Sequence, residues 1–407
     1  MEQILTEKTI SKKSTIFRRM IYVVLSILML LDIFFSVPFT FAGFRFEWAF
    51  FLIPFILIDM ISKKKKNRTF SAPAAWWLFI GFCTVLAVLS FLRFEPDFAF
   101  VGFAHFGRMI LLFLPFIWII DYLDNEERRE FLAIFRVAVI IAVIWLLVPA
   151  IQDDFAATGD RYRTEGVGKN SLGYTIVLFQ LFFFCFEKKE YTKRPIPFYI
   201  WFPICAFLAF VTKSGTAITF TGALLVICLL LNEKLSLAIK MLLLIVFLFT
   251  VFIAVSNPVQ TIAFFDELKI KKISDLLKSL FYENSLDRNN QARFDVQILV
   301  FQQFDLKIAL GRFYYIYFAE YGATAHQQYF QILYDTGIIG LALFLNFAIK
   351  CIREGGYKVA VVTLFMYSFI ENFLVQYVSL ITLALFVVGA TMKQVEQPED
   401  GTAEREK

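Results

Sequence analysis

The sequence predicts an all-α fold, a polytopic bundle of about twelve transmembrane helices by the ~20-residue span rule. One large helical loop is expected outside the membrane, between the ninth and tenth spans. Three observations predict this. Of the 407 residues, 59% are hydrophobic and 52 are Phe, and mean hydropathy is +0.66, so there are too few polar residues to cover a soluble surface. Apolar runs near span length recur along the chain, separated by charged punctuation. Lys and Arg gather in alternate loops, as chain orientation in a membrane requires.

The apolar runs occupy residues 20–38, 46–61, 74–92, 100–120, 131–150, 171–186, 196–212, 215–231, 237–256, 328–350, 358–373 and 374–392. The first is long, with no small-residue cleavage site after it, so it is expected to remain as a span rather than leave as a signal. One set of loops carries Arg18, Arg19, Lys63, Lys64, Lys65, Lys66, Arg68, Arg128, Arg129, Lys188, Lys189, Lys193, Arg194, Lys234, Lys240, Lys350, Arg353 and Lys358. The opposite short loops carry only Arg45, Arg93, Arg161, Arg163, Lys169 and Lys213. The bias puts both termini in the cytoplasm. The expected organisation is spans 1–9 in residues 1–256, the outer loop in 257–327, spans 10–12 in 328–392 and a cytoplasmic tail in 393–407.

Residues 257–327 contain no span-length apolar run, and loops of that length usually carry function. Phe265, Leu268, Lys272, Ile273, Leu276, Leu277, Leu280 and Phe281 follow helical spacing, with Lys269, Lys271, Asp275 and Lys278 on the other face. This pattern predicts an amphipathic helix over 264–282 on the outer membrane surface, and a second helix over 292–305. No repeat period and no correspondence between halves is visible, unlike many transporters.

The five Cys stand singly in or beside apolar runs, with no CxxC pair. They predict neither a disulfide framework nor a zinc site, and read as small apolar residues. Asp32, Asp59 and Glu371 lie near span ends and form no chain of acids across the bilayer, which weighs against a proton-coupled carrier. There are two His. His105 reads as a hydrogen-bonded packing residue. His326, just before the tenth span, is either a base able to take a proton from a hydroxyl or a helix-start residue at headgroup level. Arg161 and Arg163 precede Gly166, Gly168, Lys169 and Asn170, and Lys213 occupies a very short turn, Thr212-Lys213-Ser214-Gly215-Thr216. Arg288, Arg293 and Arg312 lie in the large loop. Outer cations run against the topology rule, so they either meet a multiply charged anion or are solvated loop charges. Arg binds phosphate bidentately, and Gly-rich turns let backbone N–H groups approach it.

Taken in order, these segments resemble the bacterial O-antigen polymerase and O-antigen ligase family. His326-Gln327, nine residues, then Gly337-Ile338-Ile339-Gly340 resembles the family motif that closes the outer loop and opens a helix. Arg293, in Gln291-Ala292-Arg293-Phe294, and Gly311 resemble the family's loop Arg and the Gly that follows. Arg163, Gly166, Asn170 and Gly173 resemble the segment before the sixth span, and Lys213 to Ala217 the turn after the seventh. The resemblance covers about residues 150–350. It implies a metal-independent, cofactor-free glycosyltransferase in the bacterial inner membrane, using an undecaprenyl-pyrophosphate-linked glycan. His326 would be the general base. Arg293 and Arg163, with Arg161, Lys213, Arg288 and Arg312, would meet the pyrophosphate and glycan, and Gln327, Gly311, Gly337 and Gly340 would be motif residues. The implied partners are the lipid-linked donor and acceptor, the bilayer, and a flippase and chain-length regulator of the same pathway, with no nucleic acid. Gly215 stands where ligases commonly carry Arg, and Phe313 where a second Gly is expected. These departures favour a polymerase, with a ligase as the alternative. A lipid-linked oligosaccharide flippase is the rival from another class.

Overall fold

The computed structural model describes residues 2–35, 39–41, 44–62, 70–93, 96–152, 164, 169–187, 198–212, 214–231, 236–268, 274, 328–368 and 377–393. The described chain is helical apart from one short ribbon. The helices are α1 (Glu2–Phe34), α2 (Ile53–Ser62), α3 (Ala72–Arg93), α4 (Pro96–Ile117), α5 (Asn125–Gln152), α6 (Lys169–Phe186), α7 (Phe198–Val211), α8 (Gly215–Leu231), α9 (Leu237–Ser256), α10 (Pro258–Glu267), α11 (Gln328–Glu354), α12 (Lys358–Tyr367) and α13 (Tyr377–Lys393). Each of the twelve predicted apolar runs therefore falls on a helix.

Among the described residues, four segments are long and apolar enough to cross a membrane: Ala72–Ser90, Gly102–Tyr122, Asn125–Gln152 and Gln328–Glu354. Others, such as Phe198–Val211 and Lys358–Tyr367, are shorter apolar helices. Outward faces carry large apolar side chains at helical spacing, as on α5 with Val137, Ile141, Ile144, Val148 and Ile151, and on α9 with Leu242, Ile245 and Phe249. Such stripes suit hydrocarbon rather than water.

Two local features were not expected. Between α1 and α2, β1 (Phe39–Phe41) pairs antiparallel with β2 (Phe44–Phe46) in the register Phe39 to Phe46 and Phe41 to Phe44. In the segment expected as an outer loop, a helix begins at Pro258, six residues before the predicted start, and closes at Glu267 with Leu268 as its cap. Proline suits that first position, where no N–H partner is needed. Most of the predicted 264–282 helix, and all of 292–305, lies outside the described residues.

The chain divides into two compact units. The first comprises residues 1–142, 185–195 and 303–407. Its centre is the antiparallel pair α3 and α11, where Trp76 meets Phe347 and Phe79 meets Phe344. Phe113 of α4 stacks on Trp76 with ring centroids 3.4 Å apart. Phe116 and Phe365 close the cluster around Phe347.

Helix ends in this unit are satisfied by charges from other helices. Glu354, at the end of α11, accepts from the N–H of Ser71 (2.9 Å) and of Ala72 (3.0 Å), capping α3. Pro115 lies inside α4, which ends in a wide turn at Trp118–Tyr122. A turn of that kind frees carbonyls. Arg128, only 1% exposed, donates to the carbonyls of Ile119 and Ile120, to Asn125 and to Thr391 of α13. Arg129 donates to the Met392 carbonyl, at 2.6 Å for the shorter bond. Asp124 and Glu127 form a reciprocal cap on α5, each accepting from the other's N–H. Arg18 pairs with Glu127 and Asp59, and the Trp118 indole N–H donates to Asp59 at 2.9 Å.

The second unit comprises residues 143–184 and 196–302. In it α6 and α8 run parallel. Gly173 abuts Ser214 and Ala217, and further along Thr221 donates to Gln180 at 3.0 Å. Phe183 stacks on Trp201 of α7 at 4.8 Å.

Arg136 of α5 holds Glu187 with two bonds of 2.6 and 3.0 Å, and the Glu187 side chain is 1% exposed. Removing one member of a buried pair costs more than removing both. Arg136→Leu should lower stability by about 3 kcal/mol, read as a lower thermal midpoint of the purified protein in detergent. Arg136→Leu with Glu187→Leu should recover most of the loss.

Candidate functional site

Helix α11 carries the part of the predicted motif that falls among the described residues. Its first residue, Gln328, is two positions after His326. The Gln328 N–H donates to the Ser368 carbonyl at 3.0 Å, and the Tyr329 hydroxyl donates to the Phe365 carbonyl at 3.0 Å. Both acceptors lie at the end of α12, so the point where the chain enters α11 is fixed.

The helix breaks at Gly337, with φ 69° and ψ −169°. That region of backbone space is essentially closed to residues with a Cβ. At Gly340 a Cβ would overlap the side chain of Thr336 and press on Phe82. The Thr336 hydroxyl in turn donates to the Ile332 carbonyl at 2.7 Å. The nine residues between Gln327 and Gly337 are thus one half-helix, 328–336, about 13 Å long at 1.5 Å per residue. Both motif glycines have a backbone or steric reason.

That half-helix has a polar buried edge. Gln328 is 9% exposed, Gln331 8%, Asp335 2% and Thr336 fully buried. Gln331 and Asp335 stand one turn apart, and the Gln331 amide donates to the Asp335 carboxylate at 2.7 Å. A carboxylate inside a spanning helix is costly, by up to about 3 kcal/mol, and such groups usually mark function.

In the second unit the structure brings two predicted segments together. Gly173, near the start of α6, lies against Ser214 and Ala217 at the start of α8, where an added Cβ would sit 2.9 and 3.0 Å from theirs. The stretch leading into α6 holds Arg161 and Arg163, and the turn before α8 holds Lys213. Ser214 is buried, and its N–H donates to the Thr212 hydroxyl at 3.3 Å. The side chains of Arg161, Arg163, Lys213, Arg288, Arg293, Arg312, His326 and Gln327, and Gly311 with them, lie outside the described residues. His105 lies on α4, with its side chain outside the described set.

Sequence reasoning missed two partly buried ion pairs and one buried carboxylate. Arg108 pairs with Glu47, Arg136 with Glu187, and Asp335 sits on α11. All were visible as single charges inside or beside apolar runs. Among the described residues, no group of three or more His, Cys, Asp or Glu is arranged to hold a metal ion. No family model matches the chain, and no curated protein matches it.

Gly337→Ala should cost about 1–3 kcal/mol, since the break needs a positive φ. Gly340→Ala should also destabilise, and Thr336→Ala added to it should restore only part of the loss, since it removes the hydroxyl while the Cβ of residue 336 still presses on the new methyl. Thermal midpoints of the three variants in detergent check both statements.

Proposed function

We propose that this protein is an inverting glycosyltransferase that polymerises undecaprenyl-pyrophosphate-linked oligosaccharide repeat units into O-antigen or capsular polysaccharide on the outer face of the inner membrane. The observation that carries the reading is the agreement between motif spacing and helix on α11. His326 and Gln327 directly precede a nine-residue half-helix that is anchored at its start and ended by an obligatory glycine. A base at that position would have a fixed backbone beneath it, which proton transfer between positioned groups requires. The ordered resemblance of the Arg163, Lys213, Arg293 and His326 segments supports the same reading.

In this mechanism His326 accepts the proton of an acceptor sugar hydroxyl. The hydroxyl oxygen attacks the anomeric carbon of the donor from the face opposite the pyrophosphate, and inverts it. The bond to the pyrophosphate breaks, and its electron pair leaves on the diphosphate. Arg293 and Arg163 meet the charge that develops there, with Arg161, Lys213, Arg288 and Arg312 as further cations. A bidentate guanidinium suits a diphosphate better than a single ammonium.

His326→Ala should abolish glycan transfer with no change in the amount of protein in the membrane; normal activity would end the general-base role. Arg293→Ala should weaken use of the donor, and Arg293→Lys should restore it only in part. Full rescue by Lys would reduce Arg293 to a simple charge. The size distribution of surface and lipid-linked glycan in cells lacking the gene separates the alternatives. Single repeats at the surface indicate a polymerase. Long lipid-linked chains left untransferred indicate a ligase, and an unchanged profile returns the transporter reading.

A further inference from the structure

Helix α1 is one helix of 33 residues, about 50 Å long at 1.5 Å per residue. The hydrocarbon layer of a bilayer is about 30 Å thick, so α1 is longer than a crossing needs. Packing sets its two sides. Arg18, Tyr22, Leu25 and Met29 form the row that faces the bundle. Tyr22, Leu25 and Met29 are buried, and Arg18 pairs with Asp59 and Glu127. Ile16, Met20, Val23 and Ile27 form the opposite row and are exposed, Ile16 at 52% and Met20 at 60%. Such a row suits hydrocarbon.

The helix carries both rows back toward its start. Lys12 stands four residues before Ile16 and eleven before Val23. Lys13 stands three before Ile16 and seven before Met20. By register both occupy the next turn of the exposed row, about 5 Å along the axis from Ile16. Ser11 and Ser14 stand seven and four residues before Arg18, and continue the bundle-facing row without charge. The exposed row therefore changes from apolar to basic within a single turn. Arg19, beside it, is already matched by Glu130.

A change of that kind on the outward side of a spanning helix belongs at the edge of the hydrocarbon. Lysines just beyond that edge lie at the depth of lipid phosphates, and anionic headgroups attract them. A soluble polyanion would match the two lysines and leave the apolar row beside them uncovered. A phospholipid matches both. We propose that Lys12 and Lys13 of α1 bind the headgroup of an anionic phospholipid, with its acyl chains on the row Ile16, Met20 and Val23. This contact is independent of the glycosyl-transfer reading above.

The test uses the full-length protein purified in detergent. Phosphatidylglycerol, phosphatidylcholine or glycerol phosphate is added at equal concentration. Bound lipid is read by native mass spectrometry, and the thermal midpoint is measured alongside. Wild type should retain phosphatidylglycerol over phosphatidylcholine by on the order of 10-fold, and higher salt should narrow the preference. K12Q/K13Q should lose most of the preference with an unchanged midpoint in detergent alone, and K12R/K13R should keep it. Equal retention of the two lipids by wild type overturns the proposal. So does an unchanged preference in K12Q/K13Q, which moves the binding to another basic segment. A midpoint raised as much by glycerol phosphate as by phosphatidylglycerol makes the ligand a soluble phosphate and overturns the assignment to lipid. Should K12Q/K13Q fail to accumulate, the single variants K12Q and K13Q decide. Each should lose part of the preference, and wild-type preference in both overturns the proposal.

Discussion

Hydrocarbon offers no hydrogen bonds, so every peptide group that a helix end or a break exposes must find its partner within the protein. The first unit depends on this constraint. Glu354 takes the free N–H groups of α3, and Arg128 and Arg129 take the free carbonyls after α4 and at the end of α13. Asp32 accepts from the N–H of Trp48 and Ala49, where the chain turns into α2. Each of these side chains is ionisable, and each comes from a different helix than the one it serves, or from across a turn. The bundle is therefore bound by caps as well as by its aromatic core. A charge-assisted hydrogen bond is about twice as strong as a neutral one, and these replace water at sites that water does not reach.

The helices were legible in the sequence because the period and length of apolar runs report burial in lipid directly. The hairpin at residues 39–46 was not, since three-residue strands rich in Phe look the same as the end of an apolar run. The start of α10 at Pro258 was signalled by the proline, but the amphipathic pattern further on drew the boundary later. Within the candidate site, the spacing from Gln327 to Gly337 and Gly340 was readable as a pattern. Its cause was not, because positive φ and the overlap with Thr336 are properties of the folded backbone. Arg108, Arg136 and Asp335 escaped notice for a related reason. A lone charge in an apolar run shows its cost in the sequence, whereas its partner is distant in the chain. Glu47 is 61 positions from Arg108, and Glu187 is 51 from Arg136.

The two glycines of α11 and Gly173 of α6 answer different demands. Gly337 is needed for a backbone angle, whereas Gly340 and Gly173 are needed for space. Small residues at helix contacts allow backbones to approach closely in a membrane, where dispersion rather than water drives association. The close contact of α6 with Ser214 and Ala217 is of this kind, with Gly173 leaving room for both.

The cap on α3 also bears on biosynthesis. Ser71 and Glu354 are 283 positions apart, so the start of α3 emerges from the ribosome long before the carboxylate that completes it exists. Helices of the second unit are made in the interval. Through that time the first unit is an unfinished shell, with exposed peptide groups that a membrane chaperone or a protease can recognise. Its closure by α11 and α13 makes the last part of the chain the step that completes the first unit.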